Sequence, residues 1–133
     1  MRHSRRGFLV KTGSLLGMTT VLPALTLAKP KKVAIPLEKV AKLKSVGGST
    51  ILKIKEKWIL LMRTKQTEIK AVSAICTHKK CDVNYNGSLK KIECACHGSK
   101  FTTDGQVLNG PAKKNLHNYN AVLSGDKILL TMD

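Results

Sequence analysis

Cys76-Thr77-His78-Lys79-Lys80-Cys81 and, one strand-turn-strand stretch later, Cys94-Ala95-Cys96-His97-Gly98-Ser99-Lys100-Phe101 are the two segments on which the reading of this sequence turns. They hold all four cysteines and two of the four histidines of the 133-residue chain. Cysteines gathered this closely point to a metal site or a local staple, not to a framework pinning distant parts of a secreted fold. Thiolate and imidazole are the ligands that zinc and iron-sulfur centres select. Six such groups exceed the four that one tetrahedral zinc takes, and the Cys-x-His-x2-Cys and Cys-x-Cys-His spacings are not the usual zinc ones.

Outward from these boxes the pattern is β. Residues 50–55, 57–63 and 67–75 are short runs rich in Ile, Val, Leu and Thr, separated by brief polar breaks in the manner of a meander. Asn86-Gly87 is a strong hairpin signal ahead of a strand over 89–94. Two more strands are expected within 118–132, around Ser124-Gly125-Asp126. Residues 37–46 fit a helical turn and an irregular strand equally well. No repeat and no βαβ alternation is visible, so the expectation is an all-β sandwich or barrel-like domain. Trp58, Leu116, Tyr119, Val122 and Leu123 are expected in its core, and His117 on the surface near the last hairpin.

The two boxes, with Gly105-Gln106-Val107-Leu108-Asn109-Gly110-Pro111-Ala112 after them, resemble the Rieske iron-sulfur family over about Cys76 to Ala112. That resemblance implies a Rieske fold over 37–133, an antiparallel base domain with a small inserted cluster-binding subdomain at about 74–112. It implies one [2Fe-2S] cluster, with Cys76 and Cys94 as thiolate ligands of one iron and His78 and His97 as imidazole ligands of the other. Cys81 and Cys96 would form a disulfide joining the two loops, Ser99 would donate a hydroxyl to a bridging sulfide, and Gly110-Pro111 would belong to a loop covering the cluster. Two ferric ions, two sulfides, two thiolates and two neutral imidazoles sum to zero charge, whereas four thiolates would leave −2. An electron therefore enters more easily, and histidine-ligated centres reach about −150 to +300 mV. The cysteine pair resembles the high-potential branch, cytochrome bc complexes and arsenite oxidase small subunits, more than ferredoxin-type members. Two departures stand out. Phe101 replaces a tyrosine that many high-potential members carry, which implies a potential below the top of the range. Lys79 and Lys80 stand where bc-type members usually have leucine and glycine.

The N-terminus differs from the rest. Ser4-Arg5-Arg6-Gly7-Phe8-Leu9 leads into an uncharged apolar run over 12–28, similar to a twin-arginine export signal, a route that carries folded proteins. Residues 1–28 are read as such a signal, cleaved after small residues or retained as a membrane anchor, and 29–36 as a basic tether or extended lead-in. Twenty of the 24 basic residues and all 8 acidic ones follow residue 28, so that part carries +12. Such an excess suits an anionic partner or a solvated basic surface. With aromatics at 4% and lysines scattered, nucleic acid is not expected. The functional expectation is one-electron transfer without independent catalysis: the iron-sulfur subunit of a membrane quinol-oxidising cytochrome bc type complex, with His97 where quinol and electron meet, and cytochrome b and a c-type cytochrome as partners. A periplasmic relay subunit of arsenite oxidase type and a stand-alone carrier are the alternatives. In each case the protein is exported to the periplasmic side of the bacterial inner membrane.

Overall fold

The computed structural model describes residues 27–132, with 13, 17 and 20–25; the expected twin-arginine motif at Ser4–Leu9 lies outside the described residues. Among the described residues, eleven antiparallel strands form three sheets. The first contains β1 (Lys31–Pro36), β11 (Lys127–Met132) and β10 (Ala121–Ser124), in that order. The second runs β2 (Ser49–Ile54), β3 (Lys57–Lys65), β4 (Glu68–Ser73) and β9 (Asn118–Tyr119). The third runs β5 (Val83–Asn86), β6 (Lys91–Cys94), β7 (Lys100–Phe101) and β8 (Val107–Asn109). Because β4 pairs with β9, the whole third sheet is an insertion between two neighbouring strands of the second. The expected all-β architecture with a small inserted unit is the one observed.

The middle sheet is buried on both faces, and the alternation along β3 shows why a continuous apolar run suits it. Ile59 and Leu61 face one core, shared with Ile35, Ile128 and Leu130 of the first sheet. Leu60 and Met62 face the other, shared with Val83, Ile92 and Phe101 of the third. All four β3 side chains are at most 1% exposed. The second core also contains Cys76 and Cys94, so the packing that seats the inserted sheet seats the two thiols as well.

Several local expectations change. Residues 31–36, read as a tether or lead-in, are extended and hydrogen-bonded, pairing Lys31 with Met132 through Pro36 with Lys127. Residues 37–46 contain two short 3-10 helices, Leu37–Lys39 and Ala41–Lys44. Arg63, buried on β3, donates to the carbonyls of Leu43 (3.0 Å) and Lys44 (3.4 Å) at the end of the second helix, and to Gln66. Leu116 and Tyr119 are buried, but Trp58 is 48% exposed and Val122 53%. Trp58 sits beside a hairpin turn with the Lys53 ammonium 5.9 Å from its ring centroid, and Val122 lies on the outer face of an edge strand. Apolar character alone does not reveal which face of a strand is covered.

Candidate metal centre

The two boxes fold as loops on a single plan. In the first, the Cys76 N–H donates to Cys81 O (2.7 Å) and the Lys80 N–H to Cys76 O (3.0 Å). In the second, the Cys94 N–H donates to Ser99 O (2.9 Å) and the Gly98 N–H to Cys94 O (3.0 Å). Lys80 therefore occupies in one loop the place of Gly98 in the other. Both have left-handed backbone, with φ of 55° and 75°. In the same alignment Lys79 corresponds to His97, and His78 to Cys96. The loops are held together at their base: Val83 pairs with Cys94 and its N–H donates to Ala74 O (2.9 Å), two residues before Cys76.

This plan sorts the donors. Cys76 and Cys94, at the loop starts, are free thiols only 2% exposed. His78 and His97, at the outward turns, are exposed, with ring centroids 4.9 Å apart and planes at 82°. Cys81 and Cys96 form a disulfide with a Cα–Cα distance of 6.4 Å, joining the loops. The Cys94 sulfur lies within 4.8 Å of both disulfide sulfurs, which are bonded to each other and so are no thiolate ligands. Ser99 is fully buried, and its Oγ accepts the Ala112 N–H (3.0 Å), leaving the hydroxyl proton for another acceptor. That bond ties the loop containing Gly110-Pro111 to the second box, and Thr77 Oγ1 ties the first box to Lys114 O (2.6 Å). Lys79, Lys80, Lys113 and Lys114 are all exposed on these loops, and among the described residues none joins an ion pair.

The site residues expected from sequence thus converge at one end of the inserted sheet. The left-handed place of Lys80 and the tie from Thr77 to the third loop were not anticipated. Gly98 signals its own turn, whereas a lysine gives no hint of positive φ. With two sulfurs committed to the disulfide, two thiols and two imidazoles remain. Four such donors match a tetrahedral zinc by number alone, but also a [2Fe-2S] centre with one iron on the buried thiolates and the other on the exposed imidazoles. A buried hydroxyl with a proton to give suits the second, because bridging sulfides accept hydrogen bonds that tune the centre.

Comparisons with known proteins separate these fits. The profile of the Rieske [2Fe-2S] domain matches residues 34–120. A cytochrome b6-f complex iron-sulfur subunit of Chlorobaculum thiosulfatiphilum is 32% identical over 141 residues, spanning 96% of this chain and 75% of the relative. The crystal structure of the cyanobacterial plasma membrane Rieske protein PetC3 from Synechocystis PCC 6803 superposes with a TM-score of 0.60 at 28% identity, covering 74% of this chain and 97% of that one. The ferredoxin of carbazole 1,9a-dioxygenase from Nocardioides aromaticivorans IC177 superposes with a TM-score of 0.63 at 20% identity, covering 78% and 98% of the two chains. That likeness is one of fold alone.

Proposed function

The chain belongs to the Rieske [2Fe-2S] domain family, and from that premise we propose that it is the iron-sulfur subunit of a membrane quinol-oxidising complex of the cytochrome bc type, passing single electrons to a c-type cytochrome. When bound, the [2Fe-2S] cluster supplies one-electron chemistry at a potential raised by histidine ligation. Cys76 and Cys94 would hold it from the apolar core, and His78 and His97 would hold it from the solvent side. Ser99, whose Oγ accepts the Ala112 N–H, would have its hydroxyl proton to give to it. His97 lies on an exposed turn, and the ring nitrogen not bound to iron would take the proton of a docked quinol. The observation that carries this reading is the pair of matched loops joined by Cys81–Cys96, with thiols buried and imidazoles exposed. The similarity of 96% of this chain to three quarters of a cytochrome b6-f iron-sulfur subunit supports the choice of complex. With the basic and apolar N-terminus it supports export by the twin-arginine route and a place on the periplasmic side of the inner membrane beside cytochrome b.

One observation favours a second reading. Lys79 stands at the loop position that matches His97 and is exposed, and an ammonium resists burial against an apolar quinol ring even though its stem can lie flat. A relay subunit docked on a larger oxidoreductase, of arsenite oxidase type, or a soluble carrier has no such ring to accommodate. Gentle solubilisation of host membranes and affinity purification of the full chain tests the choice. Absorbance of b- and c-type haem in the purified fraction, together with cluster reduction on adding quinol, is expected. Co-purification with a catalytic subunit lacking haem, or of the chain alone, would replace the first reading with the second.

A further inference from the structure

We infer that the end of the domain where the chain leaves its apolar N-terminal run is a lysine collar that docks on anionic lipid headgroups and so holds the cluster-bearing end against the bilayer. β1 starts at Lys31, opposite Met132, and shares a groove with the tip of the β2–β3 hairpin. The groove, about 490 Å³, is lined by Ala28, Lys29, Lys31, Lys55, Lys57 and Met132. Among the described residues none of these four lysines joins an ion pair. The Lys57 ammonium lies 5.8 Å from the Tyr119 ring centroid. Asp133 follows Met132 outside the described residues; its side-chain carboxylate against the four lysines leaves a surplus of three positive charges, and the Glu56 carboxylate at the same hairpin tip is balanced by Lys53, 3.2 Å away.

Two further observations point to lipid as the occupant. The hairpin turn is Lys55-Glu56, both at positive φ (46° and 67°), where asparagine and glycine are the usual residues. A lysine kept in a left-handed turn, projecting beside the emerging chain, is a strained choice that a functional demand explains. Leading up to the collar, Leu22, Leu25 and Leu27 are 85%, 93% and 89% exposed. An acidic protein face or a nucleic acid would answer the lysines and leave these aliphatic side chains in water. A bilayer with anionic lipid answers both, since the apolar groups enter the hydrocarbon and the ammoniums stay with the headgroups. The collar and the cluster loops share one end of the middle sheet: the Ala74 N–H donates to Trp58 O (2.9 Å), and Cys76 follows two residues on. Docking the collar therefore orients the cluster toward the membrane. This deepens the membrane reading above, on which only the role of the apolar run depends.

Trp58 is the sole tryptophan, adjoins Lys57 and is half-exposed, so it reports the docking. The full chain carrying its cluster is reconstituted into vesicles of phosphatidylcholine alone or with about 30 mol % phosphatidylglycerol. Both contain a headgroup-labelled quenching lipid. At least twofold stronger Trp58 quenching is expected with phosphatidylglycerol, and about 0.5 M NaCl should abolish the difference. Lys29→Gln/Lys31→Gln/Lys55→Gln/Lys57→Gln should also lose it, while its cluster spectrum and co-sedimentation with both vesicles stay as in the parent. Equal quenching in the two vesicles, or a variant that keeps the difference, overturns the collar. Co-sedimentation with phosphatidylglycerol vesicles only keeps the collar and removes the anchor. Co-sedimentation with neither removes both.

Discussion

The two boxes that carry Cys76, His78, Cys94 and His97 were legible because metal chemistry admits few side chains, and their spacing shows directly in the sequence. Backbone conformation is less legible. Lys80 at φ 55° fills the place that glycine fills in the matching loop. A side chain there costs roughly 1 kcal/mol in backbone strain. Lys80→Gly is expected to raise stability toward chemical denaturation by about 0.5 to 1 kcal/mol, less the entropy glycine returns to the unfolded chain. A loss exceeding 1 kcal/mol would show that Lys80 makes a stabilising contact. Cluster potential responds to neighbouring donors and charges. Ser99→Ala and Lys79→Leu should each lower the midpoint in a redox titration, the first by removing a hydrogen bond and the second a positive charge, with shifts on the order of tens of millivolts. An unchanged or higher midpoint in either would exclude that group as a tuning element.

At the scale of elements, the long strands were legible and the short ones were not. β3 carries nine residues of sustained pattern, whereas β7 and β9 carry two each and exist only because neighbours pair with them. Trp58 and Val122 were misassigned to the core because their burial depends on which sheet covers a face, which no local pattern records. Between elements, the Cys81–Cys96 bridge spans 15 residues, and the chain-entropy estimate for such a loop is about 3 kcal/mol. Cys81→Ala/Cys96→Ala should lower the unfolding midpoint by less than that estimate implies while iron is retained, since the cluster ties the same two loops. Loss of all iron would give the disulfide a larger role. A second tie joins β4 to the turn before β8, where the Lys70 ammonium lies 2.6 Å from Asp104 and 3.4 Å from Glu68. Burial opposes the charge on Glu68, but Lys65 and Lys70 outweigh it and hold its carboxyl below its ordinary value near 4.5. Burial likewise opposes the charge on Lys70, and Asp104 with Glu68 outweighs it, holding the ammonium above its ordinary value near 10.5. The carboxylate contribution is present above pH 4.5 and is lost as pH falls through the depressed folded value; the lysine contribution is present below pH 10.5 and is lost as pH rises through the raised one. Asp104 is more than half exposed, so solvent screening keeps the pair to about 0.5 to 1 kcal/mol. Lys70→Met should destabilise by that amount at pH 7 and approach the parent as pH falls through the depressed Glu68 value below 4.5, and parallel stability curves down to pH 3 would contradict the assignment.

Across the whole molecule, the sequence carried the net charge and the two boxes but not the distribution of lysines over the surface. The structure places one exposed group on the cluster loops, Lys79, Lys80, Lys113 and Lys114, and another at the hairpin tip and chain start. If the first group serves docking, electron transfer to an acidic c-type cytochrome should slow as ionic strength rises past about 0.1 M, where charges separated by more than roughly 10 Å are screened. A flat salt profile would assign those lysines to solubility. All of this depends on what the two matched loops hold, because the same two thiols and two imidazoles equal the ligand number of a zinc site. The direct test is metal and acid-labile sulfide analysis of the purified full chain, read with the electron paramagnetic resonance spectrum of its reduced form. Two irons, two sulfides and the signal of a histidine-ligated [2Fe-2S] centre are expected, with the signal lost in His97→Ser and kept in His117→Ala; stoichiometric zinc without iron would contradict the account.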